Sequence, residues 1–150
     1  MMPETENLLE VRNLSVEFKT EDTIVRAVDN LSFDLKQGEI LGIVGESGSG
    51  KSVTALSLMR LVPSPPGEIV DGEVILGGRD LLQLSESDMT LVRGGEISII
   101  LQDPMKALNA VFSIENQVGE AIKIHQGLKG QPLWDKVVDS LRKVRIPAPD

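Results

Sequence analysis

The sequence contains no cysteine and no tyrosine, and only 3% of its 150 residues are aromatic. The absence of cysteine excludes disulfides, thiol nucleophiles and thiolate metal sites, and it is consistent with a reducing compartment. With so few aromatic rings, the core has to be built from Val, Ile and Leu. This composition favours packed sheets and helices over a binding surface of stacked rings.

Basic clusters and long apolar runs are also missing. The formal net charge is −8 and Lys and Arg are not clustered, so a nucleic-acid partner is not predicted. The apolar run ISIIL, residues 97–101, is long enough for a strand but far too short for a membrane span. The first ten residues are polar and acidic, unlike the basic start of a signal peptide. If the chain works at a membrane, another subunit has to hold it there.

Four segments have the patterns of β-strands. Alternating apolar and polar residues predict strands over 8–18 and 27–35, which we expect to pair antiparallel with one face in solvent. The run ILGIV, residues 40–44, does not alternate, which predicts a central strand covered on both faces. The run EISIIL, residues 96–101, predicts a second buried strand.

Helices and a hairpin account for much of the remaining sequence. A helix from about Gly50 to Leu61 is predicted to end before the Pro-rich run PSPPG, and residues 85–88, SESD, have a capping-box pattern for a short helix. Residues 72–81, with Gly77 and Gly78 in the middle, predict a hairpin. Two later amphipathic helices are predicted from apolar positions at helical spacing: Ile114, Val118, Ile122 and His125, then Trp134, Val137, Val138, Leu141 and Val144. The fold class is therefore α/β.

A glycine-rich stretch, GESGSGKS at residues 45–52, has the spacing G-x-x-x-x-G-K-[ST] between a predicted strand and a predicted helix. Gly45, Gly48 and Gly50 allow the backbone to approach a ligand closely. The N–H groups of residues 47–52 can then face an anion at the N-terminus of the helix. This arrangement predicts a phosphate-binding loop.

Two side chains at the end of this loop extend the prediction. Lys51 adds a positive charge for the β- and γ-phosphates of a nucleotide, and the hydroxyl of Ser52 can coordinate Mg²⁺. A Gly/Ser-rich surface turn is the alternative, but this combination of residues in this context would be rare by chance. A dinucleotide-binding G-x-G-x-x-G motif does not fit the spacing.

Five tracts of the sequence resemble, in order, the ATP-binding subunits of ABC transporters. The resemblance is strongest to the dipeptide/oligopeptide importer branch, which includes nickel and glutathione importers, and it extends from Leu8 to Asp150. The tracts are LLEVRNLSVEF, AVDNLSFDLKQGEILGIVGESGSGKS, GEVILGGRDLLQLSE, LVRGGEISIILQDPMKALNAVFSIENQVGEAI and VRIPAPD. The part ILQDPMKALNAVFSIENQ is the most specific. Leu101 stands where the family commonly has Phe, and Ala110 where it usually has Pro, which affects local loop geometry rather than the identification.

The resemblance implies roles for individual residues. The Walker A loop would bind ATP through Gly45, Glu46, Ser47, Gly48, Ser49, Gly50, Lys51 and Ser52. Phe18 would stack on the adenine ring, or it is simply a strand core residue. Gln102 would share Mg²⁺ with Ser52, orient the attacking water and couple the site to the membrane subunits. Without the family, Gln102 is a polar residue that ends a buried strand. Lys51 and Gln102 are thus the implied catalytic residues.

The resemblance also implies an architecture that is incomplete in this sequence. Residues 1–102 would form an antiparallel β subdomain with a partial P-loop NTPase core, and residues 103–150 the start of a helical subdomain. The family's signature motif, Walker B strand and switch His have no counterparts here. Asp103 imitates a Walker B carboxylate, but a Gln precedes it and no Glu follows. We therefore expect the chain alone to bind nucleotide weakly and to hydrolyse almost none.

Further features of the sequence are interpreted without catalytic roles. Asp139 follows too few apolar residues for a Walker B strand, His125 is predicted to be a packing or boundary residue, and Trp134 is predicted to be a core residue. The implied parent protein is an ATPase at the cytoplasmic face of the membrane, which imports peptides or a related small solute. Its implied partners are permease subunits, a second ATP-binding subunit and, indirectly, a solute-binding protein.

Two alternative functions stay open. One is a small phosphotransferase that uses Asp103 as a metal ligand, and the other is a non-catalytic truncated module that docks on a permease.

Overall fold

The computed structural model describes residues 7–103 and 107–148. These residues divide into two compact units, one up to Met89 and the other from Thr90 onwards. Residues 104–106 of the most specific tract and the last two residues of the resemblance lie outside the described residues. The predicted functional division into residues 1–102 and 103–150 stays a prediction.

A four-stranded antiparallel sheet forms the first unit, in the order β2-β1-β3-β4. The strands are β1 (Asn7–Lys19), β2 (Ile24–Lys36), β3 (Gly67–Leu76) and β4 (Arg79–Asp80). The antiparallel pair predicted near the N-terminus is confirmed as β1 and β2. The predicted hairpin is confirmed as β3 and β4, which are joined through Gly77 and Gly78.

The residues of β1 that are buried change from odd-numbered to even-numbered positions halfway along the strand. Leu9 and Val11 are buried in the first half, and Leu14 and Val16 in the second. Between them Asn13 has a φ of 50°, in the left-handed region, and the pairing with β2 and β3 is irregular there. The bulge thus inserts an unpaired residue, which keeps the apolar side chains of both halves on the same face of the sheet.

Gly72 of β3 lies beside this bulge. Its φ is +106°, and a Cβ atom built at this position would be 2.6 Å from the Cα of Leu14 and 2.7 Å from the carbonyl O of Arg12. Both neighbours are backbone atoms of β1, which cannot rotate away as a side chain could. The bulge therefore requires a glycine opposite it.

The two strands predicted to be central and buried are not strands in this structure. Residues 40–44 and 96–101 carry no strand among the described residues, apart from an isolated bridge between Arg93 and Ile97. Ile40 and Val44 are 96% and 95% exposed, and Ile100 is equally exposed. The prediction of two covered strands is therefore wrong here. A run of this kind is covered only when strands flank both edges and helices cover both faces, and no described segment pairs with residues 40–44.

Helices form at the four places that the sequence predicts. They are α1 (Lys51–Leu58), α2 (Glu86–Val92), α3 (Ile114–Gln126) and α4 (Gln131–Lys143). The predicted capping interaction before α2 is present, because the Oγ of Ser85 accepts a hydrogen bond of 3.2 Å from the N–H of Asp88. None of the described helices has both the length and the apolar character needed to cross a bilayer.

In the second unit α3 packs against α4. Ile122 of α3 and Val137 and Val138 of α4 are buried, as their helical spacing predicts. His125 is half-buried with its ring over the backbone of a Gly-Gly pair at residues 94–95, which agrees with a packing role. Trp134 is 38% exposed, so its prediction as a core residue is wrong. It lies one turn before the buried Val138 in α4.

The N-terminus of α3 is capped by a side chain. The Oγ of Ser113 accepts a hydrogen bond of 3.2 Å from the N–H of Asn116. We expect Ser113→Ala to lower the free energy of unfolding by about 1 kcal/mol, because this N–H then loses its partner. Urea denaturation followed by far-UV circular dichroism measures the change. Ser113→Asp retains an acceptor and is the matched control. Equal stability of the alanine and aspartate variants would show that the cap contributes nothing.

Candidate functional site

The predicted phosphate loop has the backbone that its glycines permit. Gly48 and Gly50 have φ values of +83° and +87°, in a region that residues with a side chain rarely adopt. Gly50 is the N-cap of α1, and its carbonyl O accepts a hydrogen bond of 2.8 Å from the N–H of Thr54. A Cβ atom at position 50 would overlap the carbonyl O of Ala27. The loop therefore turns directly into the helix at a position where only glycine fits.

The first glycine of the motif is equally confined. A Cβ atom on Gly45 would lie 2.6 Å from the Oγ of Ser49. The N–H of Ser49 in turn donates to the carbonyl O of Glu46 at 3.3 Å, which closes a tight turn. The motif thus folds into a compact loop, and its binding of a phosphate stays a prediction.

The ammonium group of Lys51 lies over this loop. Its Nζ donates to the carbonyl O of Gly45 at 2.8 Å, to the carbonyl O of Glu46 at 2.6 Å and to the Oγ of Ser49 at 3.2 Å. These three acceptors are neutral and use all three donors of the ammonium. Phosphate oxygens are stronger acceptors for a charged donor. The arrangement suits an exchange of the carbonyl oxygens for the oxygens of an entering phosphate.

The surroundings of the loop favour an anion. Residues 45–49 and Ser52 are exposed, so the loop is open to a ligand. The first turn of α1 contains no acidic residue, and no side chain caps its N–H groups. The partial positive charge at this helix end is therefore not neutralised by the protein itself. A phosphate group fits these features.

A metal ion at this site would have few protein ligands. Among residues 7–103 and 107–148, no three His, Cys, Asp or Glu side chains come together to hold an ion. Mg²⁺ commonly binds through one or two protein groups together with phosphate oxygens and water. The exposed hydroxyl of Ser52, in the first turn of α1, fits that pattern. Its role as a metal ligand stays a prediction.

Phe18 lies near the end of β1, half-buried, opposite Gly67 of β3. Its Cε1 would be 2.9 Å from a Cβ atom at position 67, so the ring covers the space that the glycine leaves empty. The next residue, Lys19, bonds to Glu68 at 2.5 Å, and this hydrogen bond raises the pKa of Lys19. Packing accounts for part of the ring, and part stays open. Stacking of Phe18 on adenine stays a prediction.

Gln102 belongs to the second unit, where it is exposed in irregular backbone before Asp103. Its predicted roles at the metal and in coupling stay predictions. The carbonyl O of Ala27 fills the space above Gly50, and this contact could not be predicted from the sequence. A backbone contact between residues so far apart leaves no pattern in the sequence.

Residues 28–146 match the family described as ABC transporter. The chain belongs to the ABC transporter family. The probable peptide ABC transporter ATP-binding protein y4tR of Sinorhizobium fredii is 47% identical over 148 residues, which are 99% of this chain and 44% of that protein. The oligopeptide transport ATP-binding protein OppD of Bacillus subtilis is 44% identical over 143 residues, which are 95% of this chain and 40% of that protein. The chain thus spans less than half the length of these ABC transporter proteins.

Solved structures of ABC transporter proteins have the same fold. The dimeric structure of MJ0796, a bacterial ABC transporter cassette, superposes with a TM-score of 0.77 at 22% identity, over 93% of this chain and 58% of that chain. A structure of MJ0796 in a post-hydrolysis state, bound to ADP and Pi, gives a TM-score of 0.75 at 20% identity. At these identities the likeness shows the fold alone. The predicted α/β cassette fold and the resemblance to ATP-binding subunits are confirmed.

Proposed function

We propose that this chain is the phosphate-binding part of an ATP-hydrolysing subunit of an ABC importer, with peptides or a related small solute as the cargo. The observation that carries the proposal is the exposed loop at the start of α1, where the ammonium of Lys51 rests on two backbone carbonyls. Membership of the ABC transporter family supports ATP as the ligand of this loop. Relatives named for peptide and oligopeptide transport support the class of cargo.

The residues of the loop have distinct tasks in this proposal. The N–H groups from Ser47 to Ser52 bind the phosphates at the helix end. Lys51 leaves its carbonyl acceptors and binds the β- and γ-phosphate oxygens, and Ser52 ligates Mg²⁺. ATP supplies the phosphoanhydride bond whose hydrolysis drives transport. Phe18 stacks on the adenine ring. Gln102 orients the attacking water and couples the nucleotide site to the membrane subunits.

The proposed partners follow from the same family. They are permease subunits, a second ATP-binding subunit and, through the permease, a solute-binding protein, with the subunit at the cytoplasmic face of the membrane. A dimeric structural relative supports the second ATP-binding subunit. The signature motif, the Walker B carboxylates and the switch His are absent from these 150 residues. Turnover by the chain alone is therefore expected to be very low.

Isothermal titration of the chain with Mg-ATP and with adenosine tests the phosphate-binding role. We expect ATP to bind about 100-fold more tightly, because two charge-assisted hydrogen bonds contribute about 1.5 kcal/mol each. Release of ADP should not exceed that of a protein-free control.

Three other results would contradict the proposal. Equal affinity for ATP and adenosine would show that the loop does not bind the phosphates of the nucleotide. ADP release that depends on an added acceptor, and is lost in Asp103→Asn, would favour the small phosphotransferase. Binding to a permease that does not depend on nucleotide would favour the docking module.

A further inference from the structure

A notch opens at the end of the β1–β3 pair, where the buried Gly67 lies opposite Phe18. A Cβ atom at position 67 would be 2.6 Å from the Cγ1 of Val62 and 2.9 Å from the Cε1 of Phe18. It would also be 2.8 Å from the carbonyl O of Pro63. The φ of Gly67 is not positive, so its backbone conformation is open to residues with a side chain. Lack of space, and not the backbone, therefore requires glycine here.

Hydrogen bonds fix the backbone around the notch. The N–H of Gly67 donates to the carbonyl O of Pro63 at 2.8 Å, and the N–H of Lys19 donates to the carbonyl O of Pro66 at 2.9 Å. These bonds oppose a shift of β3 away from β1. The ring of Phe18 is only half-buried, so it is the neighbour of position 67 that has room to move. A side chain at 67 should therefore displace the ring.

The ring of Phe18 and the phosphate loop lie on the same face of the sheet. Val16 and Phe18 are two residues apart in a part of β1 that pairs regularly with β3, so their side chains share one face. Val16 pairs with Val28 of β2. The Cγ2 of Val28 would be 3.5 Å from a Cβ atom on Gly50, the N-cap of α1. A change in the position of the ring is thus a change on the face that would hold the nucleotide.

We propose that Gly67 is a positioning residue for the base of the bound nucleotide. It acts through Phe18, because the missing side chain lets the ring rest against β3 while part of the ring stays open to a ligand. A ring that is already fixed loses little side-chain entropy when a base stacks on it. The inference rests on the proposed function for the identity of the ligand, ATP, and for the stacking on Phe18.

Packing alone would also explain an aromatic ring opposite a glycine in a sheet, because the ring shields the open backbone. In that case a side chain at 67 would lower stability without acting on the base. The two roles differ in what the effect depends on. A positioning role requires the ring of Phe18, and it concerns only ligands that carry a base.

Isothermal titration of the full chain with three probes separates the base from the phosphates. Mg-ATP carries both parts, adenosine carries the base without phosphates, and Mg-tripolyphosphate carries the phosphates without a base. We expect Gly67→Ala to weaken the binding of ATP and of adenosine about ten-fold, because a stacking contact is lost. Its affinity for tripolyphosphate should not change. Phe18→Ala should give the same pattern.

A double-mutant cycle tests whether Gly67 acts through the ring. In the Phe18→Ala background we expect Gly67→Ala to cause no further loss of ATP affinity, since the ring that it displaces is gone. An equal loss with and without the ring would overturn the inference, because the effect would then come from the fold. Unchanged ATP affinity of Gly67→Ala would overturn it as well, and so would an equal weakening of tripolyphosphate.

Far-UV circular dichroism and urea denaturation check the fold of each variant, since the new Cβ atom also approaches Pro63. Should Gly67→Ala not fold, the comparison is made in the Val62→Ala background. That change removes the methyl group at 2.6 Å and keeps the ring at 2.9 Å as a neighbour of the new Cβ atom. The affinities of Val62→Ala with and without Gly67→Ala then decide between the two roles in the same way.

Failure of the proposed function would give a different result. If ATP binds no more tightly than adenosine, phosphate binding is contradicted, but the adenosine titrations still show whether Gly67 positions the ring for a base. If Phe18→Ala leaves the affinities for ATP and adenosine unchanged, no base stacks on the ring. The inference is then overturned, while binding of tripolyphosphate continues to support the phosphate loop.

Discussion

Replacing Gly72 with alanine is expected to lower the free energy of unfolding of the first unit by about 3 kcal/mol. The φ of +106° is strained for any residue with a side chain, and the new Cβ would press on the Cα of Leu14 at 2.6 Å. Relief would require β1 and β3 to separate at the Asn13 bulge, where Leu14 and Val16 are fully buried. Urea denaturation with far-UV circular dichroism measures the loss.

Gly77→Ala provides the matched control, because it separates the cost of a positive φ from the cost of a steric clash between the new Cβ atom and the neighbouring strand. Gly77 also has a positive φ, +54°, but a Cβ atom there would meet nothing within 4 Å. The cost of this substitution is therefore the left-handed backbone alone, about 1 kcal/mol. If Gly72→Ala is no more destabilising than Gly77→Ala, the close approach of the two strands contributes nothing to stability.

The sheet of the first unit could be predicted because its strands have one covered and one exposed face. In β2, Leu31 and Phe33 are half-buried and alternate with the exposed Ser32 and Asp34, and this period is visible in the sequence. The bulge in β1 could not be predicted. It depends on the left-handed backbone of Asn13, and no short pattern distinguishes that asparagine from one in a regular strand.

The failure at residues 40–44 has a different cause. A non-alternating apolar run forms a buried strand only if other segments of the chain pair with it and cover it. The prediction therefore depends on those segments and not on the run itself. The described residues contain no partner strand, and Ile40 and Val44 remain exposed. Local pattern thus predicts strands well where the neighbour follows in sequence, as β2 follows β1, and poorly where the neighbour has to come from elsewhere.

The geometry of the loop at residues 45–52 was predictable for the opposite reason, since its contacts are local, while its binding of phosphate stays a prediction. Gly48 and Gly50 supply the positive φ angles, and Lys51 finds all three of its acceptors within the preceding six residues. The hydrogen bonds of the Gln117 side chain to the backbone of Asn109 and Phe112 could not be predicted, because a glutamine that reaches back eight residues to Asn109 follows no helical or strand period. The roles of Phe18 and Gln102 depend on the family rather than on local chemistry.

Lys51→Ala is expected to abolish most of the preference for ATP over adenosine. The ammonium is the loop's own positive charge, and its loss removes about two charge-assisted bonds to the phosphates, a decrease of about 100-fold in ATP affinity. Adenosine carries no phosphate, so its affinity should not change. Isothermal titration with both ligands on both proteins measures the effect as a double difference, which cancels any general weakening of the adenine contact.

Lys36→Ala, at the exposed end of β2, removes the same charge from the chain outside the loop. It should leave both affinities within about two-fold, because Lys36 is exposed and salt screens the interactions of exposed charges. Lys51→Ala also removes three internal hydrogen bonds, but these join exposed groups, so we expect little loss of stability. If the two lysine variants weaken ATP equally, the effect is one of net charge, and the loop does not bind phosphate through Lys51. If Lys51→Ala weakens ATP and adenosine equally, the lysine supports the fold of the loop rather than the ligand.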